Sequence, residues 1–278
     1  MTRRLVREER PTAITVGVLY ILATAAGVAA VAAGAPGGVA EMAAGKGAVL
    51  LTALFEVVTA VAVTGIAVMF YPVLIRDVGT RTKQGLTLWY VGTRIAEGAL
   101  SLVAVVALVS RLGLGEAMAD APARAGQYEA AALALKDFSD YAWVAAQTVF
   151  CVGAAMLYGL LYASRRVPRW ISVWGLAAAP MFLVAGFLLP FTGDPNSAIS
   201  TALYAPMGIQ EMVLAVWMIG WGLMPSATAA QQVHSSRLPA TTSIGAPGRS
   251  AARLEDQRGR TNTPEPAFGS AKRRPRPE

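Results

Sequence analysis

Six stretches of this chain, 12–33, 47–69, 86–109, 141–163, 170–190 and 203–224, each run for more than twenty residues with few or no charges. A helix needs about 20 apolar residues to cross the hydrocarbon core of a bilayer. Lipid offers backbone N–H and C=O groups no partner, so an open chain crosses it only by closing its own helical hydrogen bonds. The sequence therefore predicts an all-α polytopic membrane protein, a bundle of six transmembrane helices. The first stretch reads as a span and not as a cleaved signal: its apolar run exceeds an ordinary signal-peptide core, and no small-residue cleavage site leads into a soluble domain.

Composition follows the same division. Hydrophobic residues make up 55% of the chain and charged ones 15%, against about 45–50% and about 25% in an ordinary soluble domain. Thirteen charges lie in the last 54 residues and six in the first eleven. A single cysteine, Cys151, excludes an intramolecular disulfide, and a single histidine, His234, excludes a conventional His/Cys metal cluster. No metal or cofactor is expected.

The basic residues orient the bundle. Arg3, Arg4, Arg7 and Arg10 precede the first span; Arg76, Arg81 and Lys83 follow the second; Arg165, Arg166 and Arg169 follow the fourth; nine more follow the sixth. The alternate loops hold only Lys46, Arg111, Arg124 and Lys136. The positive-inside rule then places both termini in the cytoplasm. This divides the chain into a basic cytoplasmic N-tail over 1–11, the membrane domain over 12–224, and a basic cytoplasmic tail over 225–278. That tail is rich in Ser, Thr, Ala, Pro, Gly and Arg without apolar periodicity, and is expected to be disordered. The net charge of +7 accordingly reads as orientation and attraction to lipid head groups, not as nucleic-acid binding. The expected partners are the bilayer itself and a small cation or proton, and no protein partner can be named. The largest outer loop, 110–140, contains an Ala-rich stretch, 127–139, whose Tyr128, Ala131, Leu135 and Phe138 share one helical face. It is expected to lie on the outer surface as an interfacial cap. No internal repeat supports an inverted-repeat architecture.

Four ionisable residues remain inside the spans: Glu56, Arg94, Glu97 and Glu211. Each costs about 2.5–3.5 kcal/mol at a helix centre on insertion scales, so they must face the bundle interior and find partners. Counted from the cytoplasmic ends of their spans, Glu56 and Glu211 lie thirteen residues up and Glu97 eleven. At about 1.5 Å per residue the three carboxylates fall within one helical turn of a common level. Arg94 is three residues before Glu97, on the same helix face, and its planar guanidinium can bridge two carboxylates. Three carboxylates and one guanidinium leave two negative charges over, to be compensated by protons, a cation or a positively charged ligand. Thr59, Thr93, Gln147, Gln210 and Trp217 are the polar and aromatic neighbours placed to complete a pocket. No phosphate loop, nucleophile elbow, His-based triad or HExxH motif occurs, and no catalytic residue is assigned.

Several short motifs carry a resemblance. Arg10-Pro11-Thr12-Ala13 followed by Gly17-Val18-Leu19-Tyr20, the Tyr158-Gly159-Leu160-Leu161-Tyr162 to Val167-Pro168-Arg169 turn with Gly175 after it, and Pro206 with Glu211, Trp217 and Gly220 resemble a family of uncharacterised bacterial integral membrane proteins. The family is catalogued as domain of unknown function four-three-eight-six. The resemblance covers roughly residues 10–224. It implies a six-helix fold in the bacterial cytoplasmic membrane, with Glu211 in the family's Glu-x5-Trp pattern, and it implies no reaction. Members often carry a histidine near the start of the fourth span; Asp137, Ser139 and Asp140 stand there in this chain, so no site is carried over in that region.

Three function classes follow, in order of preference. The first is binding or transport of a small cation or cationic solute, with or without proton coupling, through Glu56, Arg94, Glu97 and Glu211. The second is a scaffold or accessory protein that uses the same cluster as interhelical glue. The third, an intramembrane enzyme on a lipid-like substrate, lacks a visible nucleophile and base.

Overall fold

The computed structural model describes residues 2–76, 80–192 and 198–225, with side chains for 9–76, 80–188 and 198–225. The tail expected to be disordered lies outside the described residues, apart from Pro225.

The elements in chain order are α1 (Thr2–Ala33), the one-turn α2 (Val39–Met42), α3 (Lys46–Arg76), α4 (Arg81–Asp120), α5 (Ala125–Ser164), α6 (Arg169–Thr192) and α7 (Ala198–Gly220). All but α2 are long and apolar enough to cross a membrane, which makes six candidate spans, and no strand occurs among the described residues. Packing follows chain order: α1 on α3, α3 on α4, α4 on α5, α5 on α6, α6 on α7, and α7 back on α1. The spans therefore form a closed ring. Buried Tyr20, Phe70, Leu157, Tyr158 and Leu214 fill part of its interior.

One end of the ring is tied by charge. Arg10 donates from Nη2 to the carbonyls of Ile219 at 2.8 Å and Gly220 at 2.9 Å, joining the start of α1 to the end of α7. Arg166, in the turn between α5 and α6, pairs with Glu9 at 2.5 Å, and Arg76 reaches the same carboxylate at 4.0 Å. Arg165 enters the left-handed region at φ 57° to make that turn, and its N–H caps α5 by bonding the Leu161 carbonyl at 3.0 Å. At the opposite end, Arg111 donates to the Gly37 carbonyl at 2.6 Å and Lys46 pairs with Glu116 at 2.7 Å.

Two features differ from the sequence reading. The first helix begins within the basic N-tail, at Thr2, and Glu9 and Arg10 are part of the end just described. The 110–140 segment is not a cap lying on the surface: α4 runs on to Asp120, a 3-10 turn at Pro122–Arg124 reverses the chain, and α5 starts at Ala125. Both helices have 40 residues, about 60 Å each at 1.5 Å per residue, twice the thickness of a hydrocarbon core. Alanine-rich sequence with no glycine or proline between Gln127 and Tyr141 gives the helix no place to stop. Its inward face is also one position round from expectation. Ala132 is buried, with Tyr128, Leu135 and Ser139 partly so, whereas Ala131 and Phe138 are exposed.

Candidate functional site

Arg94 lies on the inner face of α4 with only 1% of its side chain exposed. Its Nη1 donates to Glu97 Oε2 at 2.9 Å, one turn along the same helix. Its Nη2 stands 3.7 Å from Glu211 Oε1 of α7, so a single guanidinium serves carboxylates from two helices. The planar cation lies 4.7 Å from the Phe150 ring centroid and 6.0 Å from that of Tyr90, within the range of cation–π attraction. Two carboxylates and one guanidinium carry one negative charge in excess.

Above this cluster the ring is hollow. A cavity of about 790 Å³ is lined by residues of all six spans, with Arg94, Glu97 and Glu211 at one end. Glu97 and Glu211 keep 12% and 17% of their side chains exposed, so the carboxylates face the cavity while the arginine sits behind them. An aromatic wall rises from the cluster. Phe150 meets Phe182 at 5.1 Å between centroids, and Phe182 meets Tyr204 edge-on at 4.9 Å. Gln147 fixes this wall, donating to the Phe182 carbonyl and accepting from the Tyr204 hydroxyl at 3.4 Å. It has room because α6 carries Gly186 there, where a Cβ would lie 2.5 Å from Gln147 Oε1. At the far end the lining residues Val28, Val31 and Thr201 are exposed and form the mouth.

Among the residues singled out from the sequence, Arg94, Glu97, Glu211, Thr59 and Gln147 line the cavity. Glu56 does not line it and makes no ion pair or hydrogen bond among the described residues. Thr52 and Thr59 donate to the α1 carbonyls of Ala30 and Ala23, and Glu56 stands between them on the α1–α3 side, one turn before Thr59, which with Val63 and Ile66 is what α3 contributes to the lining. Thr93 donates to the Tyr90 carbonyl at 2.7 Å and packs on Gly153 of α5. Gln210 accepts from the Tyr158 hydroxyl at 2.6 Å and donates to the Ile171 carbonyl at 3.1 Å, tying α5, α6 and α7. Trp217 stacks on Trp221 at 4.9 Å, away from the cavity.

Sequence reasoning passed over Tyr20, Phe150 and Phe182, which line the cavity. The hydroxyl of Tyr20 is buried without a hydrogen-bond partner. Apolar rings inside a span carry no sequence signal that separates a cavity wall from a packed core. The Glu9–Arg166 pair was also missed, since a contact across 157 positions leaves no local pattern.

A family match spans residues 15–222, over most of the chain, and its description is domain of unknown function (DUF4386). No curated protein and no solved structure matches the chain.

Proposed function

The chain belongs to this family of membrane-helical proteins without an assigned reaction, and from that premise we propose that it binds a cationic solute inside the membrane. The observation that carries the reading is the excess negative charge at the closed end of the cavity, where Glu97 and Glu211 share Arg94. In an apolar enclosure such an imbalance calls for a counter-charge, because an unpaired charge in low dielectric is costly. A cation supplies it. A proton on either carboxylate is the alternative, so uptake of the ligand would exchange one for the other, which is the elementary step of proton-coupled transport.

The proposed setting is the bacterial cytoplasmic membrane. The end carrying Arg10, Arg76 and Arg166 would face the cytoplasm and the cavity mouth the outside, as the distribution of basic residues supports.

The test is thermal denaturation of the purified full chain with guanidinium, methylammonium and tetramethylammonium, each against a neutral analogue. Ligand at a hundred times its Kd stabilises a folded protein by about 2.7 kcal/mol, which is readily seen as a rise in Tm. The wild type is expected to respond to at least one cation, and Glu97→Gln and Glu211→Gln to lose that response. A second reading is favoured by the near-complete burial of Arg94 between three helices: the cluster serves as interhelical glue. It predicts that both variants melt far below wild type and that no cation moves any of the three.

A further inference from the structure

We infer that the preferred ligand is a lipophilic organic cation, with its charge at one end of an elongated apolar body, and not a metal ion or a small hydrophilic cation. The inference rests on the cation-binding reading above and adds the class of ligand.

Three observations carry it. The first is size and shape. A volume of about 790 Å³ falls within the roughly 300–1,000 Å³ of sites for organic ligands. The lining runs from Tyr20 to Ala32 along α1 and from Thr201 to Glu211 along α7, which at about 1.5 Å per residue is an axial length of roughly 15–18 Å. The second is that the oxygens are not gathered at one point. A hard cation takes about six or more oxygen ligands in place of its water. Here Glu97 and Glu211 each give one oxygen to Arg94 and Gln147 Oε1 is taken by Tyr204, while the hydroxyls of Tyr20, Thr24, Thr59 and Thr201 are spread over three helices along the length of the cavity. The third is the lining between cluster and mouth, made largely of apolar side chains such as Val63, Ile66, Ala146 and Met207, with Phe150, Phe182 and Tyr204 to one side. An alkyl- or arylammonium needs no more than this: carboxylates at its head, aromatic faces that attract the same charge, and apolar surface for its body.

The experiment uses the full chain in nanodiscs of neutral lipid, with empty nanodiscs subtracted, and measures equilibrium binding of n-alkyltrimethylammonium ions from methyl to decyl, with sodium and octanol as controls. Burial of one methylene is worth about 0.8 kcal/mol, so affinity is expected to rise about fourfold per carbon until the cavity is full and then level off. Glu97→Gln with Glu211→Gln should remove binding of the cations and leave octanol unaffected. Gly27 and Gly208 provide a separate check. Both line the cavity, and a Cβ at either meets nothing within 4 Å, so Gly27→Phe and Gly208→Phe should shorten the plateau by several carbons without lowering Tm. If tetramethylammonium or sodium binds as tightly as the octyl compound, the ligand class is overturned and the cation-binding reading stands. If long and short cations alike fail to bind, or bind equally well to the double Gln variant, the cation-binding reading falls with it.

Discussion

Arg94 concentrates more opposing terms than any other side chain of the cluster. Its guanidinium is withdrawn from solvent, and only Glu97 at 2.9 Å, Glu211 at 3.7 Å and the two aromatic rings offset that loss, while its Nε has no hydrogen-bond partner. Replacing one member of a buried pair by a neutral residue costs about 3–5 kcal/mol, because the partner charge is left uncompensated. Arg94→Met strands two carboxylates, and it is expected to cost at least that much in thermal or denaturant unfolding of the detergent-purified protein. Arg94→Lys keeps the charge but loses the planar fork that spans both carboxylates, so it should fall between wild type and Arg94→Met. A Met variant as stable as wild type would show that the pairs contribute nothing to the fold. At this scale the sequence was legible where covalent spacing sets geometry. The three-residue step from Arg94 to Glu97 dictates a shared face, and membrane depth brings Glu211 to the same level. Glu56 satisfied the depth criterion equally well and still stands apart: Thr59, Val63 and Ile66 of α3 line the cavity and Glu56, one turn before Thr59, does not, because which side chains reach the interior is set by how α3 packs on its neighbours and not by depth alone.

The ring closes along α1 and α7, the two spans farthest apart in the chain. Closure depends on close approach: a Cβ at Gly17 would lie 2.8 Å from the Ala215 carbonyl oxygen and 2.7 Å from Ile219 Cγ1. Gly17→Ala is therefore expected to push α1 off α7 and destabilise by about 1–3 kcal/mol, the usual cost of overpacking. Gly27→Ala on the same helix meets open space and should be neutral or stabilising by up to about 1 kcal/mol through helix propensity. The pair separates a packing effect from a propensity effect in a single melting series, and equal Tm values for the two variants would remove the close-approach argument. Element existence could be read from apolar length, since lipid leaves no alternative to helix. The α4–α5 hairpin could not. Outside the membrane, length no longer limits a helix, and a 13-residue amphipathic stretch looks the same whether it lies on the surface or continues a span. The partner face of α4 decided the matter, burying Ala132 where the helical wheel alone had favoured Ala131 and Phe138.

At the scale of the whole molecule, the two ends of the ring differ in chemistry, and the proposed orientation of the cavity rests on that difference. Arg10, Arg76 and Arg166 gather around Glu9 and the end of α7, whereas the opposite end holds the cavity mouth and the α4–α5 hairpin. Cationic loops are retained on the cytoplasmic side during insertion, so Thr80, between α3 and α4, should face inward and Ala121, at the hairpin tip, outward. Substituted-cysteine labelling reads this directly. Cys151 is buried, so Cys151→Ser supplies a silent background in which Thr80→Cys and Ala121→Cys are introduced one at a time. A membrane-impermeant maleimide added to intact cells or right-side-out vesicles should modify Ala121→Cys and spare Thr80→Cys, with the pattern exchanged in inverted vesicles. The reverse pattern would place the mouth in the cytoplasm, and labelling of both positions from one side would break the six-span count. The expected outcome has a consequence for ligand access. A cavity that opens outward and is closed inward by packed Tyr20, Leu157 and Leu214 and by the Glu9–Arg166 pair takes its ligand from the outside or the outer leaflet. The same vesicles should then bind a permanently charged cation when right-side-out, and bind it when inverted only after they are made leaky.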